Sequence, residues 1–130
     1  MRPFLDTNIL VYAVSNDPRQ ARAQELLTAG GTISVQVLNE FTNVLLNKLR
    51  RGWPEIEAAL EDVCAVLAPA APLTVAMHQA ARNLARDHGL SFYDALIAAA
   101  ALEAGCDTLL SEDMQDGRVI PGLRIVNPFA

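Results

Sequence analysis

Residues 4–14 read FLDTNILVYAV, and this stretch places one acid, Asp6, between a short apolar segment and a longer apolar run. The first segment is typical of a buried strand, and the run after it indicates a helix. A carboxylate that is buried without a partner costs free energy, so Asp6 either caps that helix or meets a positive charge. The choice depends on whether other carboxylates converge on the same place.

The rest of the chain alternates between strand and helix signals. Further strands are predicted at TISV (32–35), CDTLLS (106–111) and LRIV (123–126). The helical segments fall at residues 8–15, 19–30, 36–51, 54–67, 72–89 and 91–105. Strands that alternate with helices predict an α/β fold, with a mostly parallel sheet between two helical layers. In such sheets, ligands bind beyond the carboxyl ends of the strands.

Composition limits the class of protein. The 130 residues fit a single domain, 1–130, and the high hydrophobic fraction of 52% predicts apolar surface that a homo-oligomer or protein partner would cover. A net charge of −5 argues against binding nucleic acid through a general positive field. The longest apolar run, ALIAAAAL (95–102), is too short for a bilayer, so we expect a cytoplasmic protein. Cys64 and Cys106 form no CxxC pattern and are predicted to be reduced core thiols.

Four acids fall near the predicted carboxyl edge of the sheet. Asp6 ends the first strand and Asp113 follows the CDTLLS strand, so parallel strands bring both to one edge. Glu40 lies about one turn into the helix after TISV, and Asp94 lies in the first turn of the helix after Ser91. Ionised carboxylates repel one another, so their clustering predicts a cation. Oxygen ligands favour Mg²⁺ or Mn²⁺, and such sites are suited to phosphodiester hydrolysis.

Each acid also has a purely structural interpretation. Asp6 is suited to cap a helix, and Asp94 fits the last position of a capping box, SFYD, with Ser91 as the cap. Glu40 could lie on a solvated helix face, and Asp113 could serve a turn. The coincidence of four positions at one edge favours the metal site. Capping is compatible with it, because a helix N-terminus favours the ionised carboxylate.

Several segments together resemble the PIN domain, and within it the VapC-type toxins of bacterial toxin–antitoxin pairs. They are FLDTNILVYA (4–13), NEF (39–41), SFYDALIAAAAL (91–102), LLSEDMQDG (109–117) and LRIVNPF (123–129). The resemblance implies a three-layer α/β/α fold and a metal-dependent ribonuclease that uses Mg²⁺ or Mn²⁺. It also implies a homodimer that a cognate antitoxin protein inhibits.

The resemblance assigns the catalytic acids. The four acids of the family match Asp6, Glu40, Asp94 and Asp113. Asp6, Asp94 and Asp113 would hold the metal, and Glu40 would complete its shell or orient the attacking water. Asp116 is a further candidate ligand, because some relatives have an acid near this position.

Three polar residues and three basic residues complete the predicted site. Thr7, Asn8 and Ser111 match polar positions of the family and would fix the carboxylates by hydrogen bonding. The best local basic strip, and the predicted contact for the RNA backbone, consists of Lys48, Arg50 and Arg51. Solvated surface charge is the alternative for each of the three.

Two other classes of function are alternatives to the nuclease. A receiver-type signalling domain also gathers acids around Mg²⁺ but needs a lysine late in the chain, whereas the only lysine here is Lys48. A catalytically silent PIN-like module that binds protein or RNA is the second alternative. The presence of all four family acids favours the enzyme.

Overall fold

The computed structural model describes residues 1–130 as a four-stranded sheet with six α-helices. The strands are β1 (Pro3–Leu5), β2 (Thr108–Leu110), β3 (Val119–Ile120) and β4 (Leu123–Val126). The helices are α1 (Thr7–Ala13), α2 (Gln20–Ala29), α3 (Val35–Asn43), α4 (Trp53–Val66), α5 (Val75–His88) and α6 (Phe92–Glu103). A π-helical turn, Val44–Lys48, continues α3.

The sheet has the order β1-β2-β4-β3, in which β1, β2 and β4 are parallel and β3 is antiparallel to β4. In the central register Phe4 pairs with Leu109, and Leu109 pairs with Ile125. All three side chains are fully buried, as expected for a parallel sheet that is covered on both faces. Because β1 and β2 are direct neighbours, their carboxyl ends lie side by side.

The helices complete a three-layer α/β/α sandwich, and the α/β prediction is confirmed. Helix α6 packs on β2 and β4 and against α5, while α1 contacts α2 and α3. Every residue in the range Ala95–Ala101 of α6 is buried, and most of them are alanines. Small side chains allow this helix to lie close to the sheet and to α5 at the same time.

The predicted strand at 32–35 is reduced to two isolated bridges. Thr32 pairs with Phe4, and Ser34 pairs with Ala71. The segment is short because Ser34 already caps α3, so the chain turns into a helix at the next residue. Strand β3 was not predicted, because its two residues are too few to show a period-two pattern.

The two cysteines differ in their surroundings. Cys106 is buried, whereas Cys64 is exposed, so the prediction of a core thiol was wrong for Cys64. Helix α4 buries only Ile56 and Val63, two turns apart, and the residue after Val63 therefore points away from the core. None of the helices has both the length and the apolar character that a membrane span needs.

Replacing Ser34 with Ala is expected to lower the free energy of unfolding by about 1 kcal/mol, because the hydroxyl caps the helix that carries Glu40. The Ser34 side chain is almost completely buried, and its oxygen accepts a hydrogen bond of 3.2 Å from the Val37 amide. Urea unfolding measures the change. Ser34→Gly is the matched control and should lose less than Ser34→Ala, since glycine is a better cap than alanine. Equal stability of all three proteins would contradict the capping role.

Candidate active site

A cavity of about 330 Å³ lies at the carboxyl edge of β1 and β2, and we call it the acidic cavity. All four predicted acids line it, and they come from separate parts of the chain: Asp6 between β1 and α1, Glu40 in α3, Asp94 in α6 and Asp113 after β2. The other lining residues are Thr7, Asn8, Val11, Tyr12, Asn43, Val44 and Lys48. The sheet topology therefore brings together acids that are up to 107 positions apart in the sequence.

Asp6 is the most buried acid of the cavity, with 5% of its surface exposed. Its carboxylate caps α1 by accepting from the Thr7 amide (2.7 Å), and it also accepts from the Ser111 hydroxyl (2.6 Å). Burial raises the pKa of Asp6 to about 6, and the charges of Glu40 and Asp94 act in the same direction, against the lowering by Ser111 and Thr7. Capping and a place in the acidic cavity are thus combined in one residue.

Asn8 links Asp6 to Asp113, the first and the last acid of the cavity along the chain. Its side-chain amide donates to Asp113 (3.2 Å) and more weakly to Asp6 (3.4 Å). Its carbonyl oxygen accepts from the backbone amide of Glu112 (3.2 Å). One carboxamide thereby holds the end of β1 and the loop after β2 at a fixed separation, and it lies between two carboxylates that would otherwise repel.

Glu40 and Asp94 differ in their partners. Glu40 accepts from the Thr7 hydroxyl and from the Gln36 side-chain amide, both at 3.0 Å. Asp94 is the acid of the predicted capping box: its backbone amide donates to the Ser91 hydroxyl (3.4 Å), which confirms the cap. No side chain donates to the Asp94 carboxylate, so this group faces the cavity without a hydrogen-bonding partner.

A cluster at the rim of the cavity anchors the loop that carries Asp113. The Tyr12 hydroxyl donates to Glu112 (2.9 Å), and the Arg19 guanidinium forms an ion pair with the same carboxylate. Arg19 also lies over the Tyr12 ring, 3.9 Å from its centroid, and pairs with Asp17 (2.8 Å). The segment directly before Asp113 is therefore tied to α1.

The structure does not bring every predicted residue to the cavity. Of the basic strip, Lys48 lines the cavity, whereas Arg50 and Arg51 do not. Arg50 has a left-handed backbone (φ 53°), and Arg51 donates to the Val14 carbonyl (3.3 Å), so the chain turns away after the π-helical turn. Asp116 accepts from the Asn127 amide (2.8 Å) outside the cavity, and this placement gives its predicted ligand role no support.

Sequence reasoning missed residues that support the acids. Gln36 lies one helical turn before Glu40, and this i, i+4 spacing was a usable signal for their hydrogen bond. The contact between Tyr12 and Glu112 spans 100 positions and leaves no local pattern. Such contacts become visible only in the folded chain.

The donor set of the acidic cavity fits a hard divalent cation. Its candidate ligands are carboxylate and carboxamide oxygens, which Mg²⁺ and Mn²⁺ prefer. Burial is the main cause of the raised pKa of Asp6, and the negative charges of Glu40 and Asp94 add to it. No group of three or more His, Cys, Asp or Glu side chains is gathered closely enough to form a ready metal site. A cation would have to draw the carboxylates of the cavity closer together, because like charges repel one another until a cation lies between them.

A sequence profile described as PIN domain matches residues 4–116. The chain belongs to the PIN-domain family. This membership confirms the predicted family and excludes the receiver-type alternative. No curated protein sequence matches this PIN domain.

Solved structures show the same fold. VapC20 of Mycobacterium tuberculosis, a Sarcin-Ricin loop cleaving toxin, has 24% identity and a TM-score of 0.68, over 85% of this PIN domain and 91% of that chain. A toxin–antitoxin complex from Klebsiella pneumoniae has 22% identity and a TM-score of 0.72, over 97% of both chains. VapBC2 of Rickettsia felis, bound to a DNA fragment from its promoter, has 22% identity and a TM-score of 0.67, over 96% and 97% of the two chains. These likenesses support the fold of the PIN domain.

Proposed function

We propose that this single PIN domain is a Mg²⁺- or Mn²⁺-dependent endoribonuclease and the toxin of a type II toxin–antitoxin pair. The observation that carries the proposal is the convergence of Asp6, Glu40, Asp94 and Asp113 on one cavity at the carboxyl edge of the sheet. The structural likeness to a toxin that cleaves the Sarcin-Ricin loop supports RNA as the substrate class.

The cation would be held by Asp6, Asp94 and Asp113. The Asn8 amide donates hydrogen bonds to Asp6 and Asp113 and would fix their positions. A bound divalent ion supplies an acidified water and neutralises phosphate charge. Glu40, held by Thr7 and Gln36, would orient the attacking water. The water oxygen would bond to phosphorus and release a proton to solvent. The bond from phosphorus to the 3′ oxygen would break and that oxygen would take up a proton from solvent, which leaves a 5′-phosphate and a 3′-hydroxyl.

The test uses the purified 130-residue chain and a labelled single-stranded RNA. We expect cleavage in Mn²⁺ or Mg²⁺, loss of cleavage in EDTA and recovery when excess Mn²⁺ is added back. Cleavage that continues in EDTA would refute the metal-dependent mechanism. RNA that binds but stays intact in Mn²⁺ would identify the silent binding module instead.

Replacing Lys48 with Ala is expected to raise the KM for RNA by about 3- to 10-fold with little change in kcat, because Lys48 lines the cavity and its charge would meet the phosphate backbone there. The dependence of log KM on log salt concentration should lose about one unit of slope. Arg22→Ala, in an exposed part of α2, is the matched control and should change neither quantity. An unchanged salt slope in Lys48→Ala would remove Lys48 from the RNA contact.

A homodimer, a cognate antitoxin and a cytoplasmic location complete the proposal. Two of the similar structures are toxin–antitoxin assemblies, which supports a protein partner. Large apolar side chains that remain exposed, among them Val66, Val75 and Val119, offer surface for such contacts. Light scattering of the purified protein should give twice the 14.0 kDa mass of one chain, and a mass of one chain would exclude the homodimer.

A further inference from the structure

A second cavity adjoins the acidic cavity between α3 and the start of α6, and we call it the amide groove. It has a volume of about 460 Å³ and is lined by Gln36, Asn39, Glu40, Asn43, Tyr93 and Asp94. Three of these residues, Glu40, Asn43 and Asp94, also line the acidic cavity. A group that occupies the groove therefore lies beside any phosphate that reaches the acids.

We propose that the amide groove binds an unpaired nucleobase of the RNA, next to the phosphate that is cleaved. The inference rests on the proposed ribonuclease function and adds a specificity-determining site to it. The charges of the groove favour a base over a phosphate: Glu40 and Asp94 line it, and no Lys or Arg does. A phosphate would be repelled there, whereas a base is neutral and a ribose hydroxyl can donate to a carboxylate.

Some of the carboxamide groups in the groove already form hydrogen bonds with neighbouring side chains. Gln36 donates to Glu40 (3.0 Å) and accepts from Asn39 (3.5 Å), and the Asn43 carbonyl oxygen accepts from Asn47. These contacts leave the carbonyl oxygen of Asn39 and the amide of Asn43 available, one helical turn apart on α3. An acceptor and a donor of this kind can each form a hydrogen bond with a nucleobase edge, which carries both kinds of group.

Tyr93 supplies a stacking surface in the same groove. Its side chain is 63% exposed, although large aromatic residues normally gain stability by burial. The ring contacts Phe92 edge to face, with the centroids 5.6 Å apart, so it has a fixed support on one side. An aromatic ring stacks on bases that are free of a duplex, which makes single-stranded or looped RNA the expected ligand.

Kinetics on a single-stranded RNA test the stacking contact. Tyr93→Ala should lower kcat/KM by about 5- to 150-fold, mainly through KM, because base stacking on an aromatic residue contributes on this scale. Tyr93→Phe keeps the ring and should lose far less kcat/KM than Tyr93→Ala. Trp53→Ala is the matched control, because Trp53 is a similarly exposed aromatic residue (54%) that lines neither cavity. Wild-type kcat/KM in Tyr93→Ala, or an equal loss in Trp53→Ala, would overturn the proposal.

Substrates that differ in one base at the cleavage point test the reading of the base. Asn39→Ala should change the preference among these RNAs, whereas Tyr93→Ala should lower the rate on all of them. A preference that is identical in Asn39→Ala and the wild-type protein would overturn the base-reading role of α3.

A titration with adenosine separates the groove from the nuclease activity, because this nucleoside carries no phosphate and the titration is done in EDTA. Amide signals of the ¹⁵N-labelled 130-residue chain should shift at residues 36–43 and 92–94, and Tyr93→Ala should abolish the shifts. Shifts without RNA cleavage would support base binding in the amide groove and would refute the proposed nuclease activity. RNA cleavage without shifts in the groove would support the nuclease activity and would refute base binding in the amide groove.

Discussion

RNA cleavage is expected to fall by at least about 100-fold when Asp6 is replaced with Asn, while the protein stays folded. Loss of a direct ligand should exceed the 10- to 100-fold effects that are typical of residues supporting a metal site. The substitution keeps the shape of the side chain and removes only its charge. Asn retains a carbonyl oxygen for the Thr7 amide, and its own amide can donate to the Ser111 hydroxyl. Initial rates in Mn²⁺ measure the loss.

Two further neutralised acids show whether the effect belongs to the acidic cavity. Asp87→Asn removes an exposed charge on α5 and should cleave RNA at the wild-type rate. Asp116→Asn should also remain active, because the structure places this acid outside the cavity. If Asp116→Asn were as inactive as Asp6→Asn, the result would support the predicted role of Asp116 as a further metal ligand. Wild-type cleavage by Asp6→Asn would remove Asp6 from the catalytic site.

The shared edge of the acids could be predicted from the sequence, because it follows from topology. Asp6 and Asp113 each follow a strand, and parallel strands end at the same side of a sheet. The structure also shows that β1 and β2 are direct neighbours in the sheet. The backbone amide of Asp6 donates to the Leu110 carbonyl (3.0 Å). Propensity and periodicity were sufficient here because both strands are largely buried and are bounded by polar residues.

The basic strip could not be placed by the same reasoning. Helical periodicity treats residues 36–51 as one helix, but the chain changes to a π-helical turn at Val44–Lys48 and ends with a left-handed residue, Arg50. A π-helical turn holds about one residue more than an α-helical turn, so it rotates every later side chain about the axis. Lys48 therefore lines the acidic cavity while its neighbours two and three positions on do not. No composition signal marks such a turn.

The rim cluster shows a second limit. Arg19 and Glu112 are 93 positions apart, and their pairing depends on how the start of α2 packs against the loop after β2. A charge in a single sequence carries no information about such a partner. In contrast, the caps formed by Asp6, Ser34 and Ser91 depend on a few adjacent residues, and the caps predicted at Asp6 and Ser91 are present in the structure.

Asp6→Asn is also expected to stabilise the protein near neutral pH, by on the order of 1–3 kcal/mol, and to give little gain at pH 4. Burial raises the pKa of Asp6 from 3.8 to about 6 in the folded state. Between these values the native state holds a proton that the unfolded state releases, so stability falls as the pH rises from about 4 to 6. Above pH 6 the carboxylate is ionised in both states, and the cost of its burial is fully present. Asparagine has no such cost.

Urea unfolding of the wild-type and Asp6→Asn proteins at pH 4 and pH 7.5 measures this change, in EDTA so that no divalent ion stabilises the native state. Other titrating groups cancel in the difference between the two proteins. Asp87→Asn is the control of opposite sign, because the hydrogen bond from Arg86 lowers the pKa of Asp87 and the carboxylate stabilises the fold only above its unfolded pKa. An Asp6→Asn gain that is the same at both pH values would show that Asp6 pays no desolvation cost. The ionised Asp6 carboxylate, which the proposed nuclease needs, would then not lower the free energy of unfolding.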